Sequence, residues 1–312
     1  MRSASEARSR QQAWAEAEGI SVDESGYVST LEDNLFVPLS AATRIELSGG
    51  NGNELGGPGR RGKMQALHSS SALAYNVFEY WRQREDRDEL RAAMELPLPI
   101  KAIAFEGKFA TGLGAPAHVD VVLEVGDGLV AVESKFLEPF GSSKPYKTFS
   151  TKYFPSCVAR WADVGLPHCQ TLAEQVNRDE VEFLRLDVPQ LMKHALGLWR
   201  MGRPDVSLWY LYVEMKGVVG ERHQHELELF QERVGEEIRF RALSYNRLIE
   251  RLHEQGRRRL HAAGVLADHV SRRLRGSSGR PVPGRPSSRE PESTPGGRYE
   301  PGPHFPTHPS GP

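Results

Sequence analysis

The stretch that decides the fold is residues 100–136, IKAIAFEGKFATGLGAPAHVDVVLEVGDGLVAVESKF. It contains three runs rich in Val, Ile, Phe and Ala, and two glycine-containing turns, GLGAP and GDG, separate them. Runs of this composition with alternating polarity are typical of strands, and short glycine turns join antiparallel neighbours. The stretch therefore predicts three consecutive antiparallel strands.

Helical and strand patterns continue on both sides of this meander. Ser69–Ser71 precede an apolar stripe that predicts a capped helix up to residue 84, and Val188-Pro189 open another helix. A buried strand is predicted at 206–214, a helix at 223–238, and a short strand at 240–243. The order predicts an α/β fold in which helices flank a mixed central sheet, formed by the antiparallel meander and a later strand.

Composition divides the chain into four segments. Residues 1–40 are a helical or irregular extension, residues 41–255 hold the main domain, and residues 256–275 form a basic C-terminal helix. In the tail 276–312, 17 of 37 residues are Gly or Pro, so we expect it to be disordered. The glycine-rich segment 41–63 is predicted to be a loop.

Length and composition exclude several classes of protein. The 312 residues have a mean hydropathy of −0.51 and contain no apolar run of the roughly 20 residues that cross a membrane. Two cysteines are too few for a disulfide scaffold, and together with the absence of an apolar leader they indicate a cytoplasmic protein.

Charge is unevenly distributed. Residues 256–312 carry ten arginines and four acidic residues, whereas residues 1–255 carry 30 basic and 37 acidic ones. A protein that binds nucleic acid through its overall charge is therefore not indicated. Binding of DNA would have to depend on local basic patches.

The two hairpins place acidic residues near one another. A turn centred on Asp127-Gly128 sets Asp120 opposite Lys135, and one centred on Gly126-Asp127 sets Asp120 opposite Glu133. In both registers Asp120, Glu133 and Lys135 share one face of the sheet, because side-chain direction repeats every two residues. Val119 and Val121 are then expected on the opposite face.

The preceding hairpin adds a third acid. If its turn is centred near Leu113, Glu106 lies opposite Asp120. Carboxylates this close repel one another unless a cation neutralises them. Mg²⁺ prefers such oxygen ligands, with Mn²⁺ as an alternative, and a neighbouring lysine stabilises charge that develops on a phosphate. The set is typical of metal-assisted phosphodiester hydrolysis.

Asp120, followed after twelve residues by Glu133-Ser134-Lys135, resembles the signature of the PD-(D/E)XK nucleases. The segments 63–81, 119–124, 133–140 and 190–198 resemble a bacterial family of restriction endonucleases, and the likeness spans roughly residues 50–250. Val119 stands where the superfamily's name has proline. The resemblance implies a restriction-endonuclease-like core and an Mg²⁺-dependent DNA endonuclease of restriction or defence.

The resemblance also implies roles for individual residues. Asp120 and Glu133 would bind the metal, with the backbone carbonyl of Ser134 as a further ligand, and Lys135 would be the catalytic lysine. Glu54 in the glycine-rich loop, or alternatively Glu106, would complete the metal shell. Gln190 would contact the phosphate or water, although His194 stands where some relatives have tyrosine.

Basic residues near these positions are candidates for DNA contacts. We expect Arg60, Arg61 and Lys63 beside Glu54 to contact the DNA, together with Lys193 and His194 on the helix that carries Gln190. An exonuclease of repair or recombination and a non-catalytic DNA-binding protein remain alternative functions. A homodimer and a partner protein of a defence system also remain open.

Overall fold

The computed structural model describes residues 3–50, 52–141, 149–156, 158, 160–259 and 263–275. Within them the helices are α1 (Ala4–Ala17), α2 (Ala41–Ser48), α3 (Ser70–Arg82), α4 (Asp88–Ala93), α5 (Pro167–Asn177), α6 (Val188–Trp199), α7 (Val218–Val234), α8 (Tyr245–Arg259) and α9 (Ala263–Arg275). The strands are β1 (Ile100–Phe109), β2 (Ala117–Val125), β3 (Gly128–Lys135), β4 (Val206–Tyr212) and β5 (Arg241–Ser244). The predicted tail 276–312 lies outside the described residues.

The five strands form one mixed sheet in the order β1-β2-β3-β4-β5. β1, β2 and β3 pair antiparallel, whereas β4 pairs parallel to β3 and β5 parallel to β4. Parallel neighbours need a crossover connection, and the chain supplies it with α5 and α6 and then with α7. The predicted α/β fold with a mixed, helix-flanked sheet is confirmed.

Helices cover both faces of the sheet. On one face, which we call the α3 face, the apolar side chains of the strands pack against α3, α8 and α9. On the other, the α6 face, they pack against α5, α6 and α7. The side chains of β4 alternate accordingly, with Trp209 and Leu211 on the α3 face and Tyr210 and Tyr212 on the α6 face.

The β2–β3 hairpin turns at Gly126-Asp127. Val125 pairs with Gly128 and Val121 with Val132, which selects the second of the two registers that the sequence left open. Gly126 has a φ of 57°, a left-handed conformation that glycine adopts without steric cost. This register, continued by one residue, sets Asp120 opposite Glu133.

The alternation of side chains changes at Asp120. Val121 packs on the α3 face, as expected, but Val119 packs on the α6 face. The expectation that both valines share a face is therefore wrong. Phe105 and Phe109 on β1 show the same change, and Glu106 between them has a φ of 52°. A left-handed residue in a strand shifts the pleat, so both strands reverse their faces at the level of Glu106 and Asp120.

Three short helices were not expected from the sequence. Residues 41–48 form α2, capped by the Ser40 side chain, so only the later part of the predicted loop 41–63 is irregular. α4 and α5 also lack a predicted counterpart. Short helices carry little periodic signal, and packing against the sheet and neighbouring helices stabilises them.

The described part of the basic C-terminal segment 256–275 is helical and belongs to two helices. α8 crosses residue 255 and ends at Arg259, and α9 begins at Ala263. The side chain of Arg273 is fully buried and donates to the carbonyls of Asn34 and Leu67, and Arg272 pairs with Glu18 on the C-terminal side of α1. α1 and α9 thus belong to one packed unit, because these arginines bind the N-terminal segment. None of the described helices is long and apolar enough to cross a membrane.

Candidate active site

The predicted acidic residues Asp120 and Glu133 lie directly beyond the last regular pair between β2 and β3. Asp120 is partly buried, and its Oδ2 accepts a hydrogen bond from the backbone N–H of Ser134 at 2.7 Å. This bond ties the end of β2 to β3 beyond the last regular pair, Val121 and Val132. The carboxylate is thereby held beside the neighbouring Glu133.

Glu133 is the most enclosed member of the group. Its side chain is only 3% exposed, and each carboxylate oxygen faces a side-chain nitrogen. Lys135 Nζ lies 2.6 Å from Oε1, and His194 Nε2 lies 2.9 Å from Oε2. A buried carboxylate is costly unless it is paired; Lys135 supplies the ion pair, and His194 adds to it when it is protonated.

α6 contributes the other half of the site. Asp187 caps the helix by accepting from the N–H of Gln190, and Gln190 Oε1 in turn accepts from Lys135 Nζ at 2.8 Å. Gln190 and His194 are four residues apart, so they lie on one side of the helix and face β3 together. The structure thus brings Gln190 and His194 to Lys135 and Glu133.

Ser134 points away from this group. Its hydroxyl lies 2.7 Å from the hydroxyl of Tyr245 and donates to the carbonyl of Ser70. These contacts lie on the α3 face and fasten β3 to the beginning of α8 and to the first turn of α3. The side chain of Ser134 therefore has a structural contact, and only its backbone adjoins the acidic residues.

Glu106 lies on β1 across from Asp120. Gly107 pairs with Val119 and Phe105 with Val121, so the register brackets Glu106 and Asp120 between two regular pairs. The Glu106 side chain is 13% exposed, and its Oε2 is 3.9 Å from His118 Nδ1. A non-glycine residue with a left-handed backbone costs free energy, and such residues are concentrated at functional sites.

Glu54 approaches the same group from the glycine-rich loop. It is buried, its Oε1 lies 3.9 Å from Lys63 Nζ, and its Oε2 has no hydrogen-bond partner among the residues that the structure describes. Burial raises the pKa of Glu54, and a hydrogen bond from Ser71 opposes this. An unpartnered buried carboxylate oxygen is the kind of atom that a bound cation would satisfy.

The acids shift one another's pKa values. Burial, followed by Glu54 and Glu133, raises the pKa of Glu106 to about 7. Burial and Glu133 raise the pKa of Asp120 well above its usual value, against the effect of Lys135. Burial alone would raise the pKa of Glu133, but Lys135 and His194 outweigh it and lower that pKa to about 2. Negative charge at Asp120 and Glu106 is thus incompletely compensated.

Lys135 stays charged within this group. Burial alone would lower its pKa, but the carboxylates of Glu133 and Asp120 outweigh burial and raise it. The ammonium group is therefore a fixed positive charge that donates to Glu133 and Gln190. A charge held in this way needs no reorganisation when an anion approaches it.

The carboxylate oxygens near the site are suitable ligands for a hard cation, but their present spacing does not form a binding site. Carboxylate oxygens are the ligands that Mg²⁺ prefers, and Glu54, Glu106 and Asp120 carry incompletely compensated or unpartnered oxygens. Within the described part of the chain, no three acidic, histidine or cysteine side chains stand close enough together to hold a metal ion. An ion would require small side-chain movements, chiefly at Glu133, whose oxygens face Lys135 and His194.

The residues expected to contact DNA have different environments. Arg60, Arg61 and Lys63 are exposed, but Arg61 pairs with Asp23 and Lys63 with Glu54. Lys193 is half-buried on α6. His194 is only 2% exposed and faces Glu133, so its predicted contact with DNA is wrong. The periodicity of α6 correctly put His194 beside the site, but it could not show that the side chain is covered.

Two residues near the site were missed by sequence reasoning. Asp187 caps α6, and burial raises its pKa while Lys135 lowers it. The Asp-Val-Pro pattern signals a helix start and gives no indication of the nearby lysine. Glu226 on α7 is buried and accepts from the backbone N–H groups of residues 184–186, the segment that leads into α6. No local pattern distinguishes this glutamate from the exposed ones on the same helix.

Comparison with known proteins identifies the family of the chain. The sequence matches the family described as restriction endonuclease associating with ARP over residues 4–271. The chain belongs to this family. No curated protein and no solved structure matches it. Membership places the chain among restriction-endonuclease-like proteins, a class of nucleases whose substrate is DNA.

The matched range also bears on the architecture. It begins in α1 and ends within α9, directly before Arg272, so it includes the N-terminal helix and most of the C-terminal helix. We call Glu54, Glu106, Asp120 and Glu133 the acidic cluster. The family resemblance extends beyond the sheet and this cluster to the helices that cover the α3 face.

Proposed function

We propose that this chain is a metal-dependent DNA endonuclease of the PD-(D/E)XK type that acts in restriction or defence in the cytoplasm. The observation that carries the proposal is the grouping of Asp120, Glu133 and Lys135 with Gln190. Lys135 on β3 pairs with Glu133 and donates to Gln190 of the crossing helix, and Asp120 on β2 accepts from the backbone N–H of Ser134, which lies between the two β3 residues.

Asp120, Glu133 and Glu106 would hold a magnesium or manganese ion. Glu106 supports this assignment because it lies across from Asp120, has a strained backbone, and keeps a raised pKa. Glu54 would act as an additional or alternative ligand through its unpartnered Oε2. The ion supplies a Lewis acid that polarises the phosphate and lowers the pKa of water.

The chain's own groups position and stabilise the substrate. Lys135 carries a fixed charge toward the phosphate, and Gln190 orients the ammonium group by accepting a hydrogen bond from it. His194 faces Glu133 from the other side and limits the carboxylate's movement. Held charges of this kind stabilise the negative charge that develops on a phosphate during hydrolysis.

One observation favours a second function. Both oxygens of Glu133 face cationic or imidazole nitrogens, which is an arrangement that a non-catalytic DNA-binding protein could retain without a metal.

The family's description also names an association with ARP. We propose that a partner protein, or a second copy of the chain, takes part in the activity.

Cleavage of supercoiled plasmid tests the main proposal. Wild type and Asp120→Asn would be compared with Mg²⁺, with Mn²⁺ and with EDTA. Asparagine keeps an oxygen for the N–H of Ser134, so the fold is maintained while the charge is lost. Glu124→Gln, on the same strand, is the matched control.

Nicking or linearisation that requires both the metal and Asp120 would support the endonuclease. Degradation from linear ends alone would favour the exonuclease alternative. If folded wild-type protein binds DNA but cleaves neither form with either metal, the non-catalytic function replaces the proposal.

A further inference from the structure

Three lysines and a histidine border the acidic residues on the α6 face. Lys108 on β1 and His118 on β2 are register partners, Lys193 lies on α6, and Lys152 lies on the short 3₁₀ helix Thr151–Tyr153. We call these four residues the basic strip. Lys193 directly precedes His194, which contacts Glu133, so the strip begins beside the candidate active site.

Two lysines of the strip, Lys152 and Lys193, lack compensating acids among the described residues. No carboxylate of the described residues lies within ion-pair distance of Lys152 or Lys193. The neighbouring segment 142–148, SSKPYKT, contains two lysines and no acidic residue, so it cannot supply a carboxylate. Most other lysines near the site do have partners, as Lys63 and Lys135 show.

These cations also act on one another. Burial and then the charge of Lys152 lower the pKa of Lys193. Like charges held together without an acid are unfavourable in the free protein, and an anion placed between them would relieve the repulsion.

A cluster of aromatic side chains holds the segment that carries Lys152. Phe149, Tyr153, Phe154 and Trp161 form an aromatic cluster, in which the rings of Tyr153 and Trp161 are stacked 5.5 Å apart. Trp161 Nε1 donates to the carbonyl of Met192 at 2.9 Å, and Met192 directly precedes Lys193. The cluster therefore fastens the segment that carries Lys152 to the turn of α6 that carries Lys193.

We propose that Lys152 and Lys193 together bind backbone phosphates of the DNA next to the cleaved bond, and that the aromatic cluster positions Lys152 for this contact. The inference rests on the proposed nuclease function and extends it to residues that neither the signature nor the family assigns. DNA is the ligand that we infer. Residues 1–255 carry more acidic than basic residues, so most of this surface would repel a polyanion. A polyanion would therefore bind where lysines have no acidic partner.

Binding of a labelled duplex in EDTA tests the contact without cleavage. Fluorescence anisotropy would give Kd between about 50 and 200 mM salt for wild type, Lys152→Gln, Lys193→Gln and the double variant. Each lost phosphate contact is expected to reduce the slope of log Kd against log salt by about 0.9, and the double variant by about 1.8. The weakening should be equal for two duplexes of unrelated sequence, because phosphates carry no sequence information.

Lys101→Gln is the matched control, since this exposed lysine lies at the opposite end of β1 and pairs with Asp127. Its slope should equal that of wild type. If Lys152→Gln and the double variant keep the wild-type slope while wild type binds and cleaves DNA, the inference is wrong and the proposed function stands. If wild type binds neither duplex, the inference and the proposed function both fail.

Discussion

Replacing Glu106 by glutamine should stabilise the metal-free protein at alkaline pH. Burial, Glu54 and Glu133 raise the pKa of the Glu106 carboxyl from 4.5 to about 7. The folded state therefore disfavours the ionised form, and the wild-type protein loses stability as the pH rises from about 4.5 through about 7. Glutamine keeps the shape of the side chain, and it has no charge to lose or gain.

The size of the effect follows from the pKa shift. At about 1.36 kcal/mol per pKa unit, the shift of Glu106 corresponds to about 3 kcal/mol of lost stability at pH values above 7. Because the side chain is only 13% exposed, solvent screens this interaction little. Glu106→Gln should therefore exceed wild type by up to about 3 kcal/mol at pH 8, and the difference should vanish near pH 4.

Urea unfolding in EDTA, followed by tryptophan fluorescence across this pH range, measures the difference. Glu124→Gln, a change of the same type at a partly buried position on β2, serves as the control and should not show the same pH dependence. Addition of Mg²⁺ should stabilise wild type more than Glu106→Gln, since the carboxylate would then hold the ion. An equal difference at pH 4 and pH 8, or a wild type that is the more stable protein at pH 8, would refute the reasoning.

Three further changes test contacts that support the site. Glu226→Gln weakens the acceptor of three backbone N–H groups and should cost about 3 kcal/mol in urea unfolding, whereas Glu228→Gln on the exposed side of the same helix should cost almost nothing. Tyr245→Phe removes the hydroxyl that meets Ser134 and should cost about 1 kcal/mol, with the metal requirement of cleavage unchanged. Arg273→Met removes two hydrogen bonds to backbone carbonyls and should lower the free energy of unfolding by about 2 kcal/mol; an unchanged thermal midpoint would show that α9 does not depend on this residue.

Much of the sheet could be predicted from the sequence because its signals are local. Alternation and glycine turns located β1, β2 and β3, and the spacing of residues placed Glu106 opposite Asp120. The turn itself could not be chosen, since Gly126-Asp127 and Asp127-Gly128 both suit a tight hairpin. Both turns put the same residues on each face, so the polarity pattern does not choose between them, and the choice depends on contacts outside the hairpin.

The candidate site could be predicted in part. Periodicity placed Gln190 and His194 on the side of α6 that faces the acids, as the structure shows. It could not show that His194 is covered, that Glu106 has a left-handed backbone, or that Arg273 is buried among carbonyls. Each of these depends on a segment distant in the sequence, and no local pattern records such contacts.

The acidic cluster repels the DNA phosphates that the basic strip attracts, and a bound cation would reduce this repulsion. Without metal, ionisation of Asp120 and Glu106 destabilises the fold, and the ionised carboxylates repel a phosphate that Lys135 and Lys193 would attract. A metal that binds only the folded state would offset the loss attributed to Glu106. The same ion would weaken the repulsion between these carboxylates and the DNA. Metal and DNA should therefore each increase the affinity for the other, because both bind by compensating charge that the free protein leaves unbalanced.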